Sequence, residues 1–118
     1  SRKTGPELVN RLAETLVEVT AGKSVLFVAS VDFSHDQTSL SGMSKNRETT
    51  ETIKNFDYDR LFGYGDDHLD SPAAVALLMK ITEETGGRGF KIWQNSHGAE
   101  ITGNPTLNGT GYVTGVFY

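Results

Sequence analysis

The chain has 118 residues, enough for one modest hydrophobic core and too few for an array of independent modules. Its 11 basic and 15 acidic residues leave a net charge of −4, and the basic side chains are scattered without interleaved aromatics, which argues against binding to nucleic acid. The long apolar run, Val25 to Val31, is too short to span a bilayer, and the lack of cysteine excludes disulfides and thiolate metal sites, in keeping with a reducing cytoplasm.

The opening SRKTGPELVN has neither an initiating Met nor an apolar signal core and reads as the start of a fragment. Pro6 suits a first helical turn, and Leu8, Leu12 and Leu16 with Val9, Ala13 and Val17 form a stripe that predicts a helix ending near Gly22. Ser24 to Val31 follows as a nearly continuous apolar run, the pattern of a central parallel strand covered on both faces. After a polar stretch from Ser34 to Gly42, the segment Lys45 to Phe56 carries only Ile53 and Phe56 as large apolar residues, which predicts an exposed helix. Asp57 caps a short turn bearing Tyr58, Leu61 and Phe62, and Gly63, Gly65, Asp66, Asp67 and His68 form a polar loop.

Asp70, Ser71 and Pro72 have the chemistry of a helix start, and Ala73 to Thr85 is the most apolar helix, stopped by Gly86 and Gly87. Phe90 to Gln94 predicts a strand, Gly103, Asn104 and Pro105 a turn, and Gly111 to Tyr118 a final strand. This order predicts a single α/β domain over residues 1–118, with helices covering a mixed, largely parallel sheet. Ligands of such sheets gather beyond the carboxyl ends of the strands.

Two histidine-bearing stretches lie just past predicted strands. Asp32-Phe33-Ser34-His35 places a carboxylate where it can orient an imidazole, or where both can face a metal or a substrate proton. The alternative, that Asp32 caps the next segment and His35 is an ordinary loop residue, stays open on spacing alone. His97, between Ser96 and Gly98, is a candidate substrate donor or a plain turn histidine, and Ser34 is the other candidate substrate contact. Asp70 can cap a helix and also project an oxygen into a cleft. Asp66, Asp67 and His68 read better as a solvated loop than as a site. Neither a dinucleotide nor a nucleoside triphosphate motif is present, and Ser34 lacks a nucleophile-elbow context.

The blocks VASVDFSH (Val28 to His35), LDSPAAVALLMKI (Leu69 to Ile81), NSHGAEITG (Asn95 to Gly103) and GYVTGVFY (Gly111 to Tyr118) together resemble the Memo-like family, called AmmeMemoRadiSam system protein B in bacteria and archaea. The resemblance runs roughly from Ser24 to the end and marks the chain as the carboxyl-terminal part of a Memo-like domain. It implies a fold like that of class III extradiol dioxygenases, which hold non-haem iron with two histidines and a carboxylate.

On this resemblance Asp32 and His35 match the family's Asp-x-x-His motif, with His35 near the dioxygenases' acid/base histidine. Asp70 falls at or beside the position where some members carry a metal-binding cysteine and the dioxygenases a carboxylate. The family's first half, with its two other metal-binding histidines, is outside this chain, and Asp36 stands where members more often have an aromatic residue. Asp70 in place of cysteine implies a harder divalent ion, iron first.

The function the resemblance implies is a cytoplasmic Memo-like protein whose cleft, when complete, holds a divalent metal and takes a small molecule or peptide. Asp70 would then be the ligand, Asp32 the orienting group and His35 the proton carrier; whether this is a non-haem iron oxidoreductase is left open. The alternative is a non-catalytic peptide or protein-binding module with a vestigial cleft, acting with a radical-SAM or Amme-type partner. True ring cleavage ranks last.

Overall fold

The computed structural model describes residues 5–35, 37–104 and 108–118; Asp36 and Pro105, which figure in the expectations above, lie outside them. Helix α1 (Pro6–Thr20) begins at its proline and buries only Val9 and Ala13, packing on α4 (Pro72–Glu84). The rest of its stripe is less covered, with Leu8 55% and Leu12 43% exposed. Between them α3 (Tyr58–Phe62) is capped by Asp57, whose Oδ1 accepts from the Arg60 amide at 3.2 Å. At the start of α4 the cap is Ser71, with Oγ accepting from Ala74 N–H at 3.4 Å and Pro72 in the first turn, so the Asp70 side chain is released from capping. Tyr58 ties α3 to α4 by donating to Glu83, and burial together with that bond pushes its hydroxyl pKa up.

The expected exposed helix is instead α2 (Ser39–Lys54), which starts earlier than Lys45 and packs against α3 and both strands. Thr38 caps it, accepting from Ser41 N–H at 3.3 Å. Asn46, Thr49, Thr50, Thr52 and Ile53 are buried. Threonine can do this because its hydroxyl returns to a carbonyl of the preceding turn, as Thr49 does to Lys45 at 2.9 Å and Thr52 to Glu48 at 3.1 Å. The methyl is then left to pack as an apolar group, a contribution that a survey of large apolar residues misses. Just beyond the helix, Phe56 takes the left-handed backbone (φ 51), which costs roughly 1–2 kcal/mol for a residue with a Cβ. Burial of its ring, edge-on to Phe117 with centroids 6.2 Å apart, offsets that cost.

Strands β1 (Phe90–His97) and β2 (Gly111–Phe117) pair antiparallel, from Phe90 opposite Phe117 to His97 opposite Gly111. The register slips between Ile92 and Gln94, where Trp93 bulges outward and is 66% exposed. A short helix, α5 (Gly98–Ile101), lies in the connection. Strand β1 therefore runs on past the expected Gln94, and His97 ends a strand rather than sitting in a loop. Helices and strands together are compatible with the α/β class, but the described strands form one antiparallel pair, not a largely parallel sheet.

Ser24 to Val31, expected as the central parallel strand, pairs with no strand among the described residues. Leu26 is 86% and Val28 75% exposed. An apolar run becomes a buried strand only when neighbours supply hydrogen bonds along its edges and cover both faces, and nothing described here does so. The segment instead walls an apolar groove of about 740 Å³, opposite Val75 and Leu78 of α4 and Trp93 and Phe117 of the strands. The core lies beneath, built on Phe33, Ile53, Leu61, Leu69 and Met79. No described helix is long and apolar enough to cross a membrane.

Candidate functional site

The chain after the unpaired segment is held by an antiparallel bridge between Phe33 and Leu69, and the Asp70 amide donates to the Asp32 carbonyl at 3.1 Å. Side chains alternate across such a pair. Phe33 and Leu69 point together into the core, 5% and 0% exposed, so Asp32 and Asp70, one step away on each partner, point together outward. The chain then bends at Ser34, and the His35 amide donates to the Asp66 carbonyl at 3.0 Å. That bend brings His35 Nε2 to 3.8 Å from Asp70 Oδ2, with the two side chains 30% and 42% exposed.

Asp32, His35 and Asp70 thus converge: one oxygen or nitrogen from each lies within 4.8 Å of the others. Two carboxylates and an imidazole on an accessible face form an oxygen-rich donor set of the kind that hard or borderline divalent cations accept. Asp32 and His35 come from one tetrad; Asp70 joins them only through the backbone bridge.

Ser34 and His97 point the other way. Both are fully buried between α2 and the hairpin, with Ser34 Oγ donating to the Gly42 carbonyl at 3.4 Å. His97 Nδ1 accepts from the Ala99 amide at 3.1 Å, and Nε2 has no hydrogen-bond partner among the described residues. Gly42 is required by this packing, since a Cβ there would stand 2.5 Å from His97 Cδ2 and 3.0 Å from Ser34 Oγ. Neither side chain is presented to the surface that carries Asp32, His35 and Asp70.

The acidic loop is a surface ion cluster. Lys45 donates to Asp67 at 2.8 Å, and this bond, with the His68 contact, holds the Asp67 carboxyl below the usual carboxylate range. His68 stacks on Tyr64 with centroids 4.1 Å apart and meets Glu48 at 3.1 Å through Nε2. Asn46, which the sequence reading passed over, is fully buried and bonded to the tetrad's backbone; a polar residue at a buried position of a mixed helix gives no signal until the helix is known to be packed.

No family model matches the chain, and no solved structure matches it. A MEMO1 family protein of Methanosarcina mazei is 26% identical over 113 residues, covering 86% of this chain and 39% of the relative. A MEMO1 family protein of Desulfurococcus amylolyticus is 26% identical over 88 residues, covering 70% of this chain and 31% of the relative. The chain therefore spans well under half the length of these curated relatives. Similarity of this extent to two proteins of one family, over most of the chain, supports assigning it to the Memo-like family as a distant relative.

Proposed function

We propose that this chain contributes Asp32, His35 and Asp70 to a divalent-metal cleft in a Memo-like protein, with iron the best-suited ion. The observation that carries this reading is the convergence of the three donor atoms within 4.8 Å on an accessible face. An ion with bonds of roughly 2.1 Å sets its ligands about 3.0–4.2 Å apart, a range that includes the 3.8 Å between His35 and Asp70. Asp32 is exposed, and a modest side-chain rotation closes the remaining gap. Two carboxylate charges balance a divalent cation, and the oxygen-rich set favours iron or manganese over softer, thiolate-seeking metals.

A metal held there supplies a Lewis acid for an oxygen of a bound small molecule or peptide. Asp70 is its principal carboxylate ligand, and Asp32 completes the acidic wall and orients the group it faces. His35 Nε2 is available either as third ligand or as proton carrier. The whole protein would build this cleft in an extradiol dioxygenase-like fold in the cytoplasm.

The test is iron content of the intact protein, loaded anaerobically with ferrous iron and compared with Asp70→Ala and His35→Ala. The Asp70 variant is expected to lose the metal. Loss in the His35 variant assigns that residue as a ligand; retained metal with altered pH dependence of turnover assigns it to proton transfer. If the native protein takes up no iron, or Asp70→Ala keeps the native amount, the metal reading is wrong. A metal-free binding module acting with a radical-SAM partner then takes its place.

A further inference from the structure

A fully buried amide side chain is costly unless its oxygen and nitrogen both find partners. Asn46, inside α2 at 0% exposure, satisfies both ends: Oδ1 accepts from the Ser34 amide at 3.4 Å, and Nδ2 donates to Asn95 Oδ1 on β1 at 2.9 Å. Gly111, the first residue of β2, makes room for it, since a Cβ there would stand 2.4 Å from Asn46 Nδ2 and 2.5 Å from Ser34 Oγ. One amide therefore joins the Asp-x-x-His tetrad, α2 and β1, with the start of β2 packed over it.

The tetrad's backbone ties are Phe33 N–H to Gly111 O at 3.2 Å, Gly111 N–H to Ser34 O at 2.8 Å, His35 N–H to Asp66 O at 3.0 Å and Asp70 N–H to Asp32 O at 3.1 Å. Two side-chain ties besides Asn46 are Ser34 Oγ donating to Gly42 O at 3.4 Å and Gln37 Nε2 donating to His35 O at 2.9 Å. Asn46 supplies the side-chain tie that reaches the Ser34 amide, so it acts on the backbone at the residue where the chain bends between Asp32 and His35. Loosening Ser34 lets that bend relax, and the relative placement of the donors on either side of it goes with it.

We infer that Asn46 is a positioning residue, which acts through Ser34 to hold Asp32 and His35 in register with Asp70. The inference rests on the metal reading for its consequence and on the hydrogen-bond network for its mechanism. Groups in the outer shell of a metal site are typically worth 10–100-fold in affinity.

The experiment measures two quantities on the intact protein: ferrous-iron affinity under argon, and hydrogen exchange of the Ser34 and His35 amides without metal. Asn46→Ala is expected to weaken iron binding about 10–100-fold and to speed exchange at both amides. Thr52→Val, which removes another buried polar contact of the same helix, the 2.7 Å bond to Tyr64, is expected to change neither. Asn46→Asp keeps an oxygen facing Ser34, serves where the alanine variant does not fold, and is expected to retain Ser34 protection. Native exchange and native affinity in Asn46→Ala, equal effects from Thr52→Val, or lost Ser34 protection in Asn46→Asp would each overturn the inference. If the native protein binds no iron, the exchange data alone decide whether Asn46 positions the tetrad, so the two readings fail separately.

Discussion

The Asp-x-x-His tetrad separates two regions of opposite character. On one side α2 and the hairpin bury Asn46, Thr49, Thr52, Ser34 and His97, all polar and all within 2% of complete burial. On the other, Ser24 to Val31 is almost wholly apolar, yet Leu26 and Val28 stand 86% and 75% exposed. Burial here follows neighbours, not hydropathy. Threonine goes inside because carbonyls of its own helix meet its hydroxyl, and Asn46 because Ser34 and Asn95 meet its amide, whereas an apolar run with no described strand paired along its edges stays in solvent.

Substitutions can break or sharpen this contrast. The largest effect is expected for Leu69→Ala, at the residue that bridges to Phe33 and has no exposed surface. The loss should be about 2–5 kcal/mol by urea unfolding, with the Asp32–Asp70 alignment going too. Next comes Gly42→Ala, which drives a Cβ to within 2.5 Å of His97 and should cost about 1–3 kcal/mol by overpacking the closed side. The smallest is expected for Leu26→Ser, which should change stability by no more than about 0.5 kcal/mol because the side chain is already in solvent. A cost for Leu26→Ser comparable to that of Leu69→Ala would show that the apolar segment is covered in solution and would erase the contrast.

Much of the helical framework was legible from local chemistry. Proline marked the start of α1, an oxygen-bearing cap that of α3, and both together that of α4, and the glycine pair after α4 marked its end. These signals are local, so they survive whatever the chain packs against. The packing of α2 was illegible because its buried face is threonine and asparagine. The sheet was misjudged for the converse reason: Ser24 to Val31 has the composition of a covered parallel strand, but strand pairing is a property of two segments, and composition reports only one.

The candidate site divides the same way. Asp32, Ser34 and His35 share a tetrad placed after an apolar run, and His97 lies just past a predicted strand, but position along the chain says nothing about the face on which a side chain emerges. Only the antiparallel bridge of Phe33 with Leu69 sets Asp70 beside Asp32, because the alternation of a paired backbone sends the two apolar side chains inward and the two carboxylates outward. Residue order determined the starts of α1, α3 and α4, the presence of the two terminal strands and the identity of the acidic and imidazole groups. The tertiary structure decided which of those groups meet and which polar residues disappear inside, since both depend on how segments far apart along the chain pack against one another.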